Sequence, residues 1–355
     1  MPDNTEDDTF HLRGVPGTAT LLSEPLRMIG EEDKFRYTCV AGVPGTSSVN
    51  YDSTGKDQKK KTFEFTLEDA NGMLNQSQRE FYEKNGFLVI PNLVSEELID
   101  ESKERFLDIV NGDVDAGAIL KMKDLSLKDK KGLPNERIYN KIQDFVWDDV
   151  LSKYVCLPEV LDYVECFTGP NIRAVHSMLI NKPPDSGNRT SRHPLHQDLH
   201  YFPFRPANRI VAAWTAMEHI DDTNGCLVVQ PGTHKGKLEQ HDYPDWEKGC
   251  NKMYHGIRGA EDNPRVHLHM EKGDTVFFHP LVIHGSGANI SPNFRKAISC
   301  HYASSDSHYI DVRGTTQENI AKEVEGIAAR RGVEMDFMQL WQFRSRDVRG
   351  NQAML

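Results

Sequence analysis

The 355-residue chain has no stretch that approaches the ~18 consecutive apolar residues needed by a membrane-spanning helix. Its first residues, Met1 to Asp8, are acidic where a secretory or transit leader would be basic or apolar. The expectation is a soluble chain. Cysteine is sparse and scattered: Cys39, Cys156, Cys166, Cys226, Cys250 and Cys300 contain no C-x-x-C pair and mostly have apolar neighbours. That argues against a zinc site built on cysteine and suits small hydrophobes in a reducing compartment. Positive charge is also short. Lysine and arginine number 42 against 53 acids, a net charge of −11, which disfavours a phosphate backbone as the main partner. No internal repeat or low-complexity tract is present. Apolar residues make up 38%, enough with 26 glycines for a globular chain at the low edge of the usual range.

Residues 1–61 are rich in Gly, Pro, Ser, Thr and acids and end in the run Lys56, Lys59, Lys60, Lys61. They read as an irregular extension. Residues 62–345 read as a single domain and 346–355 as a C-terminal tail. Within the domain, Gln76 to Asn85 reads as a helix broken by Gly86, followed by a short apolar strand, Phe87 to Ile90. Ser95 reads as the N-cap of a second helix with Glu96 and Glu97 in its first turn. Residues 111–140, polar and Lys-rich, read as a surface connection, and Leu157 to Cys166 as a helix. Short strands follow, expected at Ile172–Ile180, Leu195–Tyr201, Arg209–Met217, Cys226–Gln230, Val266–Met270, Thr275–Phe278 and Lys296–Tyr302, before a last helix at Gln317–Arg330. Many short strands punctuated by Gly and Pro predict a mainly β fold with flanking helices, a jelly roll.

The densest chemistry is His193-Pro-Leu-His196-Gln-Asp198-Leu-His200. On a strand, His196 and Asp198 share a face and Gln197 points away. A third donor is offered by His284, at the end of Leu281-Val-Ile and beside the Gly285 turn. Two histidines and one carboxylate on one face of an octahedral ion leave open positions, which suits non-haem Fe(II) and dioxygen. Eleven residues on, Arg295 offers a guanidinium fork suited to the distal carboxylate of 2-oxoglutarate. The spacing leaves alternatives open. His200 would share the strand face of His196 and Asp198, giving a zinc site. His193, His267, His269, His279 and His301 compete with His284, and Arg295 alone could be a structural ion pair. Lys141 alone reads as a solvated helix charge, Met178 and Trp214 as core residues.

The stretches Phe81–Pro91, Val164–Asn171, Met178–Phe204, Ala213–Gly236 and Met270–Tyr302 resemble the phytanoyl-CoA dioxygenase family, over roughly residues 62–345. The resemblance implies a double-stranded β-helix of cupin-like type and an Fe(II)- and 2-oxoglutarate-dependent dioxygenase, with ascorbate in support. It implies a branched fatty acyl-CoA substrate hydroxylated at C2, the first step of α-oxidation. By position, His196, Asp198 and His284 match the family's iron ligands, and Arg295 its 2-oxoglutarate arginine. Lys141, Met178 and Trp214 match positions lining the co-substrate pocket. The anionic CoA moiety needs cations, and Lys182, Arg189, Arg192, Arg205 and Arg209 cluster around the metal strand. A zinc- or manganese-dependent hydrolase or isomerase, or a non-catalytic acyl-CoA-binding relative, is the alternative. The inferred location is the peroxisome, with an import receptor as partner and cytoplasm as the alternative. Ala353-Met354-Leu355 is only a degenerate version of the Ser-Lys-Leu address, and residues 1–61 do not match the family.

Overall fold

Asn75 opens the helix Gln76–Asn85 by accepting a hydrogen bond from the Gln78 N–H, while the Gln78 side chain reaches back to the Asn75 backbone. Gly86 closes it at φ 81°. A Cβ at Gly86 would lie 2.5 Å from the side chains of His234 and Val282, so glycine supplies both the left-handed turn and the close approach. Ser95 likewise caps Glu96–Asn111 by accepting from the Leu98 N–H. The computed structural model describes residues 35–36 and 62–350, apart from 68–70, 126, 128–130, 186, 188, 190, 247–248 and 331. Most of the extension read at 1–61, and the Ala353–Leu355 terminus, lie outside those residues. None of the described helices is long and apolar enough to cross a membrane.

Two sheets carry the fold. The larger runs in the order Phe87–Ile90, Thr275–Phe278, Ile210–Ala216, Arg295–Ser304, Ile172–Lys182, Tyr139–Gln143, Leu120–Lys123, and its pairings are antiparallel. The smaller runs Phe35–Arg36, Val266–Leu268, Leu227–Val229, His284–Ser286, His193–His196. This is the jelly-roll architecture expected. Period-2 alternation divides the larger sheet between two cores. Leu179, Ala213, Phe277, Ile298, Cys300 and Tyr302 point outward and pack on Phe106, Ile109, Val164 and Phe167 of the helices Glu96–Asn111 and Pro158–Thr168. Ala212, Trp214, Val276, Phe278 and Ala297 point inward against Leu227, Val229, Val266 and Leu268 of the smaller sheet. The chemistry lies on that inner side.

Three expectations need correction. The segment read as a surface connection contains the strand Leu120–Lys123, which pairs with Tyr139–Gln143, so Lys141 lies on a strand and is buried rather than solvated on a helix. The strand expected over Leu195–Tyr201 stops at His196, and Asp198–Tyr201 is a 3₁₀ turn. Residues read as the start of a tail form the strand Arg346–Arg349, which pairs with Ile172–Lys182. Arg173 anchors it through a two-pronged ion pair to Asp347, at 2.7 and 2.8 Å.

Candidate functional site

Register builds the first half of the site. His196 and His284 are direct partners on neighbouring antiparallel strands, with ring centroids 4.3 Å apart. Each Nδ1 faces a backbone carbonyl, Pro194 O at 2.8 Å and Val282 O at 3.0 Å. A carbonyl only accepts, so both Nδ1 atoms carry the proton and both Nε2 atoms present bare lone pairs. Those lone pairs point at Asp198, with Nε2 to Oδ1 distances of 3.3 Å from His196 and 3.7 Å from His284. The extended Gln197 residue preserves the alternation into the turn. Its own side chain points away, donating to Lys237 O and Leu281 O. Two lone pairs and a carboxylate converging without a proton between them make a candidate cation site, and all three groups are buried.

Electrostatics agree. Burial works against a charged Asp198, but His284 and His301 outweigh it and hold the carboxyl well below its usual range. Burial pushes His284 down to about 4, keeping its imidazole neutral as a metal ligand must be. The second carboxylate oxygen, Oδ2, is held by His301 Nε2 at 2.8 Å, which leaves Oδ1 facing the two imidazoles. His301 was one competitor for the third ligand position; it grips the carboxylate instead. The zinc alternative is not assembled, because the 3₁₀ turn rotates His200 away from the triad and its Nε2 pairs with His255 Nδ1 at 3.0 Å.

The larger sheet supplies the second half. Arg295, 1% exposed, is the cross-strand partner of Lys182, and both side chains reach the cavity, of about 750 Å³, that holds the triad. Like charges in such a pair repel. Arg295 Nε and Nη2 donate to the carbonyls of Asn224 and Gly225, while the buried Nη1 has no partner. Burial lowers the guanidinium to about 10. Lys182 donates to Ser286 Oγ and Gly287 O at 2.7 and 2.6 Å. Lys182 was read as a cation for CoA phosphates; the fold places it beside Arg295. No carboxylate among the residues lining the cavity beside them balances the pair, and burial, then the Arg295 charge, pushes the Lys182 ammonium well below its usual range, a cost that a small bound anion would offset.

Trp214 and Met178 line the same cavity, with the Arg295 guanidinium 5.6 Å from the Trp214 ring centroid. They are core residues and wall at once. Lys141 also reaches it, its ammonium 5.4 Å from the Tyr254 ring, and burial lowers that ammonium to about 8. A second cavity shares Lys141, His196, Asp198 and His301 with the first and is walled by Phe202, Met253 and Trp341 together with His176 and Arg344. His196 and Asp198 thus face both cavities, and His284 the first alone. Sequence reasoning missed Lys182 and His301 in these roles. Strand parity was a signal for both, since Lys182 lies on the face of Met178, and His301 on that of Arg295.

Residues 82–297 match the family model described as phytanoyl-CoA dioxygenase (PhyH). The chain belongs to the phytanoyl-CoA dioxygenase family. It is 60% identical over 297 residues to a protein of Rattus norvegicus named "Phytanoyl-CoA dioxygenase, peroxisomal", covering 82% of this chain and 87% of that one. It is 50% identical over 311 residues to a Caenorhabditis elegans "Probable phytanoyl-CoA dioxygenase", covering 83% and 99%. Among solved structures, the alpha-ketoglutarate-dependent carbocyclase SnoK from nogalamycin biosynthesis superposes with a TM-score of 0.53 at 20% identity, over 74% of this chain and 93% of that one. EctD from S. alaskensis with 2-oxoglutarate and 5-hydroxyectoine does so at 0.51 and 17%, over 67% and 78%. These structural likenesses establish that the family member before us has their fold.

Proposed function

We propose that this member of the phytanoyl-CoA dioxygenase family is an Fe(II)- and 2-oxoglutarate-dependent dioxygenase that hydroxylates a 3-methyl-branched fatty acyl-CoA at C2, the first step of α-oxidation. The observation that carries the reading is the pairing of two bare Nε2 lone pairs and one carboxylate oxygen with an unpaired buried guanidinium in one cavity. This donor set fits a divalent iron. His196, Asp198 and His284 would hold it, leaving coordination positions open on the cavity side.

When bound, iron couples O2 reduction to oxidative decarboxylation of 2-oxoglutarate, one oxygen atom ending in succinate as CO2 leaves and the other in the substrate hydroxyl. The protein supplies placement. Arg295 Nη1 takes the distal carboxylate of 2-oxoglutarate, with Lys182 adding charge and Trp214 and Met178 forming the wall. Lys141 stands where the two chambers meet and helps retain the anion. The second cavity, walled in part by Phe202, Met253 and Trp341, takes the acyl chain beside His196 and Asp198 so that C2 is the carbon presented. A 3-methyl branch blocks β-oxidation, which gives the C2 hydroxylation its purpose. Ascorbate supports turnover as a reductant.

The CoA phosphates are assigned to Arg189 and Arg192. Arg189 is exposed, and Arg192 lies 3.9 Å over the Trp246 ring, beside a groove that shares His193 and Ser286 with the triad cavity. Arg205 and Arg209 are less suited, since Arg205 is spent on Phe202 O, Phe204 O and Gln317, and Arg209 donates to Asn208 O. The protein works in the peroxisome, the location that the name of the Rattus norvegicus relative gives for that protein, with an import receptor as a transient partner. The test is succinate release from iron-loaded protein with and without a panel of acyl-CoAs. Stimulation by 3-methyl-branched acyl-CoA is expected; no stimulation by any acyl-CoA would remove the substrate assignment.

A further inference from the structure

A second group of metal-ligating side chains lies outside the triad cavity, on the far side of the turn that grips Arg295. Asp222 and Cys226 sit at either end of that turn, and His267 and His269 alternate along the strand Val266–Leu268 and the residue that follows it. The strand register pairs Leu227 with Leu268, so Cys226 and His269 are the next positions in line and share a face. Their donor atoms converge. Cys226 Sγ is 3.7 Å from Asp222 Oδ1 and 3.7 Å from His267 Nδ1, and His269 Nε2 is 3.4 Å from Asp222 Oδ2. Asp222, Cys226 and His269 each offer one atom within 4.8 Å of the others.

Ligands on a tetrahedral zinc ion at ordinary bond lengths lie roughly 3.2–3.8 Å apart; the Cys226 Sγ separations from Asp222 Oδ1 and His267 Nδ1 fall in that range, as does that of His269 Nε2 from the other Asp222 oxygen. His267 Nδ1 stands closer to Asp222 Oδ1, at 2.5 Å, and would open by about an ångström to admit an ion. His269 Nε2 is shielded from solvent and meets only the Asp222 carboxylate, at 3.4 Å and outside good hydrogen-bond geometry, an approach that a shared metal ion would satisfy better. Cys226 is buried, while Asp222, His267 and His269 are each about one-fifth to one-quarter exposed, which gives an ion a path in.

We propose that Asp222, Cys226, His267 and His269 form a second divalent-cation site, selective for thiophilic ions of the zinc class over iron(II). One thiolate, one carboxylate and two neutral imidazoles exactly offset a 2+ ion's charge, and sulfur ligation favours zinc over the harder cations. The thiol proton passes to solvent as the sulfur–metal bond forms. The site ties the turn Asp221–Cys226 to the strand behind it, and the carbonyls of Asn224 and Gly225 in that turn are the ones that Arg295 grips. A bound ion would therefore steady the arginine from outside the cavity. The sequence argued against a cysteine-built zinc site from cysteine spacing alone; a mixed donor set with a single cysteine escapes that rule.

The test is titration of metal-free, full-length protein with Co2+. The triad contains no sulfur, so a near-ultraviolet thiolate-to-cobalt charge-transfer band reports this site alone, whatever the triad's function. The expected result is two equivalents of Co2+ and the band in the unaltered chain. His284→Ala should bind one equivalent and keep the band. Cys226→Ser should lose the band, and His269→Gln, a change at a partly exposed side chain, should bind one equivalent. Absence of the band in the unaltered chain, or its persistence in Cys226→Ser, overturns the proposal.

Discussion

His196 and His200, four residues apart in sequence, belong to two groups of buried histidines that differ in the one property that matters for metal chemistry. His196 and His284 give Nδ1 to backbone carbonyls and turn bare Nε2 atoms toward a carboxylate. His200, His241 and His255 use their rings on each other and on the backbone. His200 stacks on His241 at 4.3 Å, His241 Nε2 accepts from the Gln197 N–H, and His255 links His200 to Glu323. The lesson is that burial and proximity do not make a ligand. What does is a bare nitrogen aimed, together with a second one, at a shared carboxylate; the buried His200 Nδ1 also lacks a partner but is not among those converging donors. The largest expected effect follows from that contrast. His284→Ala should abolish iron binding and succinate release, whereas His200→Ala should keep iron uptake per folded molecule and lower stability by about 1–3 kcal/mol, through a lost buried hydrogen bond and ring packing. Anaerobic iron titration beside thermal unfolding separates the two, and equal iron loss in both variants would erase the distinction.

Much of this was legible before any coordinates. The cap at Ser95, a glycine stop at Gly86 and period-2 strands placed most elements within a few residues, and the His-x-Asp spacing with a strand-end histidine pointed to three residues that the strands bring together. What escaped has physical reasons. Strand parity groups residues on a face but does not say which face is inward when both are apolar, so Lys182 was read toward the CoA phosphates and His301 as a competing ligand. The turn at Asp198 arises because Leu199 N–H bonds to Pro280 O, a contact from 81 residues away that no local pattern encodes. Leu120–Lys123 is a half-buried strand at the end of the sheet order, and its lysines made it resemble a loop.

His301 lies between the two histidine groups in character, since it is neither a ligand nor part of the His200 network. It grips Asp198 Oδ2 and so fixes which oxygen faces the imidazoles. His301→Ala should weaken iron binding by roughly 10- to 100-fold, the usual range for a group that orients a ligand. His301→Gln, which keeps an N–H donor, should recover most of that loss. An unchanged iron affinity in His301→Ala would reduce the residue to packing between Phe202 and Phe278.

The smallest expected effect concerns Lys141, whose behaviour tests whether the cationic chamber differs from the histidine groups in needing charge rather than its absence. Burial, then the Arg344 guanidinium, lowers its ammonium from the ordinary 10.5 to about 8, against a smaller opposing pull from Asp144. Below pH 8 the group is protonated in both the folded and unfolded chain, and its burial cost is fully felt. Between pH 8 and 10.5 the unfolded chain holds the proton and the folded chain does not, so this residue's contribution makes the fold more stable as pH rises. Binding runs the other way. Loss of the charge above pH 8 removes one cation from the chamber, so the KM for 2-oxoglutarate should rise several-fold while kcat holds. Lys141→Met should flatten that pH profile at the higher KM and should also remove the stability gain between pH 8 and 10.5. Opposite slopes for stability and affinity, both lost in one variant, are what a buried cation kept for an anion must show; a KM that ignores pH in the unaltered protein would leave Arg295 and Lys182 to hold the anion without it.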